Sequence, residues 1–238
     1  MPMHREDAEM DARWHLSESD FFENLPTEKR DFLSVGIKRQ FKKGECIFVA
    51  GDPGDYCYYL QKGSVKILRP TLLGKEPIFW VRKAGDLFGL AEVTNAKERL
   101  CTTQALTPCT VHQVHTRDLE DLLARHHTIS RKIISVLGRR VRYLCGQIEN
   151  LTVSDVASRL TNLLVCLGYH RLVTSACSQE PVKFTLDLTQ AEIAAMMGSC
   201  QQTISETLKR LEREGLIEVS KKEITILNPS EILDRTYH

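Results

Sequence analysis

The sequence predicts an α+β fold in which a β-rich N-terminal domain is followed by one long helix and a helical C-terminal domain. Three observations predict it. Short apolar runs separated by glycine turns fill residues 32–115, which is typical of a β-barrel or sandwich. From Ser130 onward, the apolar residues take helical spacing, in steps of three and four. Residues 189–213 then form two helical patterns that meet at Gly198.

The β-rich domain is predicted from strand-like runs with a turn signal about every eight to twelve residues. The runs lie at 46–50, 57–60, 64–68, 77–81, 86–90, 101–106 and 110–115. The sequence GDPGD separates the first two runs, and QKG precedes the third. Glycine and proline at these positions favour tight turns between paired strands.

Composition is that of an ordinary globular protein and predicts a cytoplasmic location. Hydrophobic residues make up 42% of the chain and charged residues 26%, as in typical soluble domains. No apolar run approaches the roughly 18 to 20 residues of a membrane span, and the polar, acidic N-terminus lacks the apolar core of a signal peptide. The eight cysteines contain no CxxC pair, so we expect neither a metal site nor an iron–sulfur cluster.

The long helix carries an apolar stripe with the spacing of a coiled coil. Successive stripe residues are separated by steps of 3, 4, 3, 4 and 3, and no proline interrupts them. The stripe consists of Ile134, Leu137, Val141, Leu144, Ile148 and Leu151. Such a helix buries its stripe either against its own β-domain or against a second copy of itself. Flanking Arg139, Arg140 and Arg142 favour the second arrangement, a parallel homodimer.

A further helix and a linker are predicted between the long helix and the C-terminal pattern. Ser154 is the expected N-cap of this helix, because apolar residues with helical spacing follow it. The polar segment 171–184 is expected to be a linker or loop.

The C-terminal pattern predicts a winged helix-turn-helix. Thr189 and Glu192 have the spacing of a capping box at the start of the first helix. Gly198 ends that helix, where a left-handed backbone is needed. The second helix has apolar residues spaced to pack inward, beginning near Ile204, and two short strand patterns around a Lys-Lys pair add the wing.

The outward face of the second helix predicts binding to double-stranded DNA. Its glutamines, serines and glutamate suit hydrogen bonds to base edges, and its basic residues suit phosphates. The alternative is a helical hairpin that binds nothing, which leaves this polar face unexplained. The candidate DNA-binding residues are Thr189, Ser199, Gln201, Gln202, Thr203, Ser205, Glu206, Lys209 and Arg210. Residues 152–238 hold 9 Lys and Arg against 11 Asp and Glu, so non-specific affinity should be weak and dimerisation should supply much of the useful affinity.

A β-rich domain, a long helix and a winged helix-turn-helix, in that order, resemble the cyclic-AMP receptor protein/FNR (Crp/Fnr) family of bacterial transcription regulators. The resemblance rests on GD…YYLQKGSVKI, AGDLFG…ERL, RRV…IENL and LTQAEIAAMMGSCQQTISETLKRLEREGLI, and covers roughly residues 20–230. The implied parts are an N-terminal extension (1–20), a β-roll, or double-stranded β-helix, that holds the effector (21–116), a dimerisation helix (117–151) and a DNA-binding domain (152–238). The family also implies a homodimer on a palindromic operator, with RNA polymerase as a partner and an effector event that moves the long helix. The chain has no nucleophile elbow, P-loop or metal-ligand motif, so we expect no enzymatic activity.

The stretch GDLFGLAEVTNAKERLC resembles the phosphate cassette of this family but departs from its cyclic-nucleotide pattern. Cyclic-nucleotide binders have Gly-Glu at the start of the cassette and Arg-Ser or Arg-Ala at its end. Gly89 and Arg99 are present, but Leu90 replaces the glutamate and Leu100 follows the arginine. A leucine cannot accept the ribose hydroxyl, and leaving that group buried and unpaired costs about 1–3 kcal/mol. Glu92, two residues further on, could substitute only if the carboxylate moved several ångströms.

The long helix departs from the cyclic-nucleotide pattern as well. Leu144 and Cys145 stand where cyclic-AMP binders place a Thr-Ser pair, and a thiol is a weak substitute for a hydroxyl. We therefore expect an effector other than cyclic AMP. The candidate effector-binding residues are Gly89, Leu90, Ala91, Arg99, Leu100, Cys101, Leu144 and Cys145.

The sequence leaves the effector and any cofactor open among several alternatives. FNR-type sensors need an N-terminal cysteine cluster, and no cysteine precedes Cys46; CooA-type haem sensors use a Cys and a His where this chain has Gly89 and Ala91. Haem or nitric-oxide sensing through other ligands is the first alternative, with candidates His15, His112, His115, His126, His127 and Cys101. A thiol switch is the second, at Cys101, Cys109 or Cys145. An unidentified small anionic or apolar ligand is the third, and a regulatory module that gates a partner protein is an alternative of another class.

The recognition helix also departs from the family pattern. Where many members carry an arginine that grips guanine, this chain has Glu206, which accepts hydrogen bonds and suits cytosine. Gln202 and Ser205 resemble the Gln-x-x-Ser of CooA-like members. We therefore expect a half-site that differs from the usual one at the base that Glu206 faces.

Overall fold

The computed structural model of this 238-residue chain describes residues 20–93, 97–175 and 180–235. The chain divides into two compact units, Glu18–Leu137 and a second that holds Gly138–His238. Almost all of the predicted extension at 1–20, including His15, lies outside the described residues. Each helix in the described ranges is either too short or too polar to cross a bilayer.

The first unit is a β-roll with one helix before it and two helices after it. Its elements are α1 (Pro26–Val35), β1 (Ile37–Phe41), β2 (Cys46–Phe48), β3 (Tyr56–Lys62), β4 (Ser64–Leu68), β5 (Ile78–Lys83), β6 (Leu87–Phe88), β7 (Thr102–Ala105), β8 (Cys109–His115), α2 (Thr116–Arg125) and the first part of α3 (His127–Val153). The strands pair antiparallel in two four-stranded sheets, in the orders β1-β8-β3-β6 and β2-β7-β4-β5. This two-sheet architecture confirms the predicted β-roll.

Apolar residues from both sheets meet inside the roll. Val65 on β4 and Leu60 on β3 are fully buried. The rings of Phe48, Tyr58 and Phe88 form a stacked cluster, in which the centroids of Phe48 and Phe88 lie 5.5 and 5.2 Å from that of Tyr58. Full burial of a large apolar side chain stabilises a fold by about 1.5–3 kcal/mol, so this cluster fixes the strands that flank the cassette.

The predicted dimerisation helix at 117–151 consists of two helices, α2 and α3, that separate at His126. His126 has φ −123° and ψ 85°, outside the helical range. Two side-chain contacts with α1 hold this junction. His126 Nε2 lies 3.0 Å from Asp31 Oδ2, and Thr128 Oγ1 donates to Glu28 Oε1 at 2.7 Å. These hydrogen bonds lower the pKa of both carboxyl groups.

The second unit continues from α3 into a winged helix-turn-helix. Its further elements are α4 (Val156–Ser175), β9 (Val182–Thr185), α5 (Gln190–Met197), α6 (Gln201–Arg213), β10 (Ile217–Ser220), β11 (Glu223–Ile226) and α7 (Pro229–Asp234). The strands form one antiparallel sheet in the order β10-β11-β9. The predicted wing is confirmed, and Lys221 turns the chain between β10 and β11 with a positive φ of 53°.

The segment after α3 differs from the prediction in two places. Asp155, and not Ser154, caps α4, because Asp155 Oδ1 accepts the N–H of Ser158 at 2.8 Å. The predicted linker at 171–184 contains the last turn of α4 and most of β9. The residues of β9 alternate between buried and exposed, which is the pattern of a half-buried strand, but the run is only four residues long.

Candidate DNA-binding face and effector cassette

The first helix of the helix-turn-helix, α5, begins and ends at the residues that the sequence indicates. Thr189 Oγ1 accepts the N–H of Glu192 at 3.2 Å, and Glu192 Oε2 accepts the N–H of Thr189 at 2.9 Å. Gly198 adopts left-handed φ 62° and ψ 36° directly after the helix. The Thr189 hydroxyl also donates to Glu192 at 3.0 Å, so this candidate DNA-binding side chain is already engaged in the cap.

Apolar burial fixes which side of α6 faces solvent. Ile204, Leu208 and Leu211 are buried and follow one another in steps of four and three, which places them on one helix face. The neighbouring helix α5 contacts α6 and buries Ile193 and Met197. The opposite side of α6 is therefore left for contact with a partner.

This outer side of α6 carries the candidate base-reading residues. The exposed ones are Gln201, Gln202, Glu206, Lys209 and Arg210, and the half-buried ones are Ser199, Thr203 and Ser205. Gln202 Nε2 donates to Glu206 Oε1 at 3.0 Å. In the free protein, these two side chains are therefore hydrogen-bonded to each other. Each must turn toward the DNA to bind a base edge.

Cys200 is a chemically distinctive residue on this face that the sequence analysis did not single out. It is exposed and occupies the N-cap position of α6, where its Sγ lies 3.1 Å from Thr203 Oγ1. Hydrogen bonds from the side chain and backbone of Thr203 lower the pKa of the thiol. The position of the cysteine directly before the recognition helix was the available signal in the sequence.

The cassette arginine, Arg99, is enclosed by acceptors of the protein itself. Its Nη1 donates to Gly89 O at 3.1 Å and to Glu92 Oε2 at 2.9 Å, and its Nη2 donates to Tyr56 O. The guanidinium also lies over the ring of Phe48, 4.4 Å from its centroid. Only 1% of the side chain is exposed. Arg99 is therefore buried, and its charge is neutralised by Glu92. The sequence had instead predicted an arginine that is available to a ligand.

The other cassette residues lie in contrasting environments. Leu90 is buried in a core cluster between the roll and its helices, whereas Leu100 is 57% exposed and Ala91 is exposed. Glu92 faces Arg99 and also accepts the N–H of Leu100 at 3.4 Å. Its carboxylate therefore neutralises the arginine and is not placed as a substitute acceptor for ribose. Residues 94–96 of the cassette lie outside the described residues.

The cysteines considered for a thiol switch lie in different surroundings. Burial and then the negative charge of Glu92 raise the pKa of Cys101, and burial raises the pKa of Cys109. Cys145 is exposed on α3. A reactive thiolate is favoured by nearby positive charge, so the environments of Cys101 and Cys109 oppose such reactivity.

The histidines considered as haem ligands mostly hold structural contacts. His112 is buried, its Nε2 lies 3.3 Å from Gln61 Oε1, and burial lowers its pKa. His115 Nδ1 accepts a backbone N–H at the start of α2, His126 contacts α1, and His127 is exposed. Across the described part of the chain, no three His, Cys, Asp or Glu side chains gather in a way that could hold a metal ion.

The predicted dimer stripe lies along one side of α3 and is exposed. Its exposed fractions range from 40% at Leu137 to 70% at Ile134. The remaining members are Val141, Leu144, Ile148 and Leu151. Cys145, next to Leu144, is also exposed. Leu144 and Cys145, two of the candidate effector residues, belong to the second unit. The cassette belongs to the first.

Comparison with known proteins matches both units. Residues 38–126 match the cyclic nucleotide-binding domain, and residues 156–235 match the Crp-like helix-turn-helix domain. The chain is 29% identical over 214 residues to a probable transcriptional regulator, flp, of Lacticaseibacillus casei, covering 90% of this chain and 94% of that one. It is 28% identical over 195 residues to a CRP-like cAMP-activated global transcriptional regulator of Mycobacterium tuberculosis, covering 82% and 85%.

Solved structures share the fold at low sequence identity. FixK2 from Bradyrhizobium japonicum has a TM-score of 0.73 and 19% identity, covering 84% of this chain and 96% of that one. A mutant of CooA from Carboxydothermus hydrogenoformans has a TM-score of 0.70 and 20% identity, covering 86% and 89%. The order of a β-roll, long helix and helix-turn-helix is therefore an established architecture.

Proposed function

This chain belongs to the Crp/Fnr family of DNA-binding transcription regulators, and we propose that it acts as a homodimer controlled by an effector other than cyclic AMP. The effector would bind in the β-roll and alter DNA binding through α3. One observation supports the choice against cyclic AMP. The carboxylate of Glu92 already forms an ion pair with Arg99, the arginine that would hold the cyclic phosphate.

Energetics support this choice. A cyclic phosphate at Arg99 would have to displace Glu92 or share the guanidinium with it. Displacement leaves a largely buried carboxylate unpaired, and removing one partner of a buried ion pair costs about 3–5 kcal/mol. Sharing brings two negative charges together, which is also unfavourable. The cassette therefore favours a ligand whose binding does not depend on Arg99.

The exposed stripe on α3 supports the homodimer. Its six apolar residues recur with heptad spacing and are all exposed in the single chain. Contiguous apolar surface of this kind marks an association site. A second copy of α3 presents the same spacing, so two stripes can interlock as knobs into holes.

The outer face of α6 supports sequence-specific DNA binding. A helix whose apolar side is fixed by packing can enter the major groove with its polar side. Two copies related by a dyad would contact two half-sites, so we propose a palindromic operator. Because the C-terminal unit is not basic overall, the dimer would contribute through two half-sites what one domain lacks in phosphate attraction. RNA polymerase is the partner that transcription regulation requires.

Two measurements on the full-length protein test this proposal. Selection from random double-stranded DNA should yield a palindrome whose half-sites are about one helical turn apart, roughly 34–36 Å. Isothermal titration should show no saturable binding of cyclic AMP. An absent or asymmetric motif would contradict the dimeric regulator, whereas cyclic AMP binding that strengthens DNA affinity would contradict the proposed effector class.

A further inference from the structure

A second arginine inside the β-roll, Arg82 on β5, is buried, and its Nε atom lacks a polar partner within the described part of the chain. Only 7% of the residue is exposed. Among the described residues it also makes no ion pair. Its guanidinium carbon lies 4.4 Å from the centroid of the Trp80 ring, a cation–π contact that leaves the N–H groups at the edge of the guanidinium for another partner.

Strand register shows which way Arg82 points. Arg82 lies directly opposite Val65 on β4, and Val65 lies opposite Ala105 on β7. Directly opposite residues of antiparallel strands share one face of the sheet. Val65 and Ala105 belong to the core cluster inside the roll. Arg82 therefore lies on the interior face of the sheet, at its β5 edge.

The neighbouring row on this face contains a second unpartnered polar group. Trp80 lies opposite Ile67, and Ile67 lies opposite Thr103. Thr103 is fully buried, and its Oγ1 has no hydrogen-bond partner among the described residues. Neighbouring strands are about 4.8 Å apart, so β5 and β7 are separated by roughly 10 Å. This separation is within the length of one small molecule that contacts both groups.

Arg82 and Arg99 stack on aromatic rings at opposite edges of the same sheet but differ in their hydrogen-bond partners. Arg99 stacks on Phe48 of β2, and a carboxylate and two carbonyl groups accept hydrogen bonds from its Nη1 and Nη2 atoms, whereas its Nε atom, like that of Arg82, has no partner among the described residues. Arg82 stacks on Trp80 of β5, the strand at the other edge, and has no such acceptor. A buried charge is unfavourable unless it is paired, so Arg82 indicates a site at which an anion is the missing partner.

We propose that Arg82, assisted by Thr103, binds the anionic group of the effector inside the β-roll. The inference rests on the proposed effector-gated function and names the ligand class: a small organic anion with a carboxylate or phosphate attached to an apolar body. The guanidinium can hold either group through two parallel hydrogen bonds. Trp80 and Ile67 supply the apolar surface for the body of the ligand. The position normally occupied by the cyclic phosphate is not used.

Trp80 provides a direct readout of this site. The chain has two tryptophans, Trp14 and Trp80, so Trp14→Phe leaves Trp80 as the sole indole fluorophore. Benzoate and phenyl phosphate serve as anionic probes, and benzamide serves as the uncharged isostere of benzoate. We expect a saturable change in Trp80 emission with an anionic probe and none with benzamide.

Matched variants test whether Arg82 is responsible. Arg82→Met should weaken binding of the anionic probe by about tenfold or more, since a charge-assisted hydrogen-bonded contact is lost. Lys83→Met removes the same charge from the adjacent, exposed position of β5 and should leave the affinity unchanged. If neither anion changes Trp80 emission saturably, or if Arg82→Met binds as the parent does, the proposal is overturned.

Thermal unfolding without any added anion provides a second test. Because Arg82→Met replaces a buried side chain that has no acidic partner among the described residues with an apolar one, we expect Tm to rise by about 2–4 °C. Arg82→Lys keeps a charge there and should not produce this rise. A fall in Tm for Arg82→Met would mean that the guanidinium has a stabilising structural role, which would overturn the proposal.

Failure of this inference is distinguishable from failure of the proposed function. DNA selection is measured without any anion. A chain that selects a palindromic site but shows no anion-dependent change in Trp80 emission fails only the ligand assignment. A chain that selects no DNA sequence fails the regulator proposal, whatever the fluorescence shows.

Discussion

Arg99 Nη1 lies 2.9 Å from Glu92 Oε2, so the charge of the cassette arginine is neutralised within the protein itself. Both side chains are largely buried, with 1% and 14% exposed. Such a pair is hard to break by ligand exchange, because the displaced group would remain poorly solvated. The pair therefore supports the proposal that the chain keeps Gly89 and Arg99 of the family pattern but binds a different ligand.

Glu92→Gln should remove the ion pair with Arg99 and leave the guanidinium available to a phosphate. The amide keeps an acceptor but removes the negative charge, so we expect the free energy of unfolding to fall by about 1–3 kcal/mol. Cyclic AMP binding, which we expect to be absent in the parent protein, should become detectable by isothermal titration. Glu98→Gln, a change at an exposed cassette residue, should alter neither quantity. Equal cyclic AMP binding by the parent and the Glu92→Gln protein would show that Glu92 does not block the arginine.

Ile148→Lys should weaken dimerisation. Ile148 is 62% exposed in the single chain and lies within the stripe. Loss of one buried apolar side chain costs about 1.5–3 kcal/mol, and the charge adds to this, so the dimer dissociation constant should rise at least tenfold. Sedimentation velocity over a concentration series measures it. Glu149→Lys places the same side chain on the neighbouring exposed position outside the stripe, and an equal effect there would argue against a stripe-specific interface.

Glu206→Arg should change the base that the recognition helix prefers. An arginine donates to guanine O6 and N7, whereas glutamate accepts from cytosine, and such a contact discriminates by about 1–3 kcal/mol. The substitution also removes the Gln202–Glu206 bond and frees Gln202 to bind a base. Selection from random DNA should show guanine at one position of each half-site. Lys209→Ala, by contrast, should weaken all sequences alike, and an unchanged motif for Glu206→Arg would refute this readout.

The thiol of Cys200 should react before the other described thiols. The side-chain and backbone hydrogen bonds from Thr203 lower the pKa of Cys200, whereas burial raises the pKa of Cys57 to about 12. A lowered pKa means that thiolate appears at lower pH, so the alkylation rate should rise at a lower pH than for an ordinary thiol. Mass spectrometry of iodoacetamide-treated protein across a pH series measures each site. Thr203→Val should shift the Cys200 midpoint upward, and an unshifted midpoint would mean that Thr203 does not stabilise the thiolate.

Local sequence patterns predicted the helix-turn-helix well because its determinants are close in the chain. The Thr189–Glu192 box and the Gly198 turn depend on neighbours within a few residues. Strand β1 (Ile37–Phe41) was missed because four of its five residues are exposed, which removes the alternation that predicts a half-buried strand. The helix break at His126 was missed because neither glycine nor proline marks it.

The site within the β-roll could be predicted only in part. Gly89 and Arg99 follow from the cassette pattern, but the pairing of Arg99 with Glu92 depends on how the loop folds back. Arg82 carries a charge and therefore looks like a surface residue in the sequence. Its interior position comes from strand register against Val65, which no local pattern shows.

Helix α1 forms polar contacts on both sides of the junction between α2 and α3. Glu28 and Asp31 stand one helical turn apart, and each holds one residue of the junction, Thr128 and His126 respectively. A change in the direction of α3 must carry α1 with it or break both contacts together. Such polar contacts at the surface are weak compared with the apolar core of the roll. Because Ile129 and Val136 also bury the start of α3 in the core cluster that contains Phe32 of α1, any tilt of α3 would have to carry α1 with it as one body.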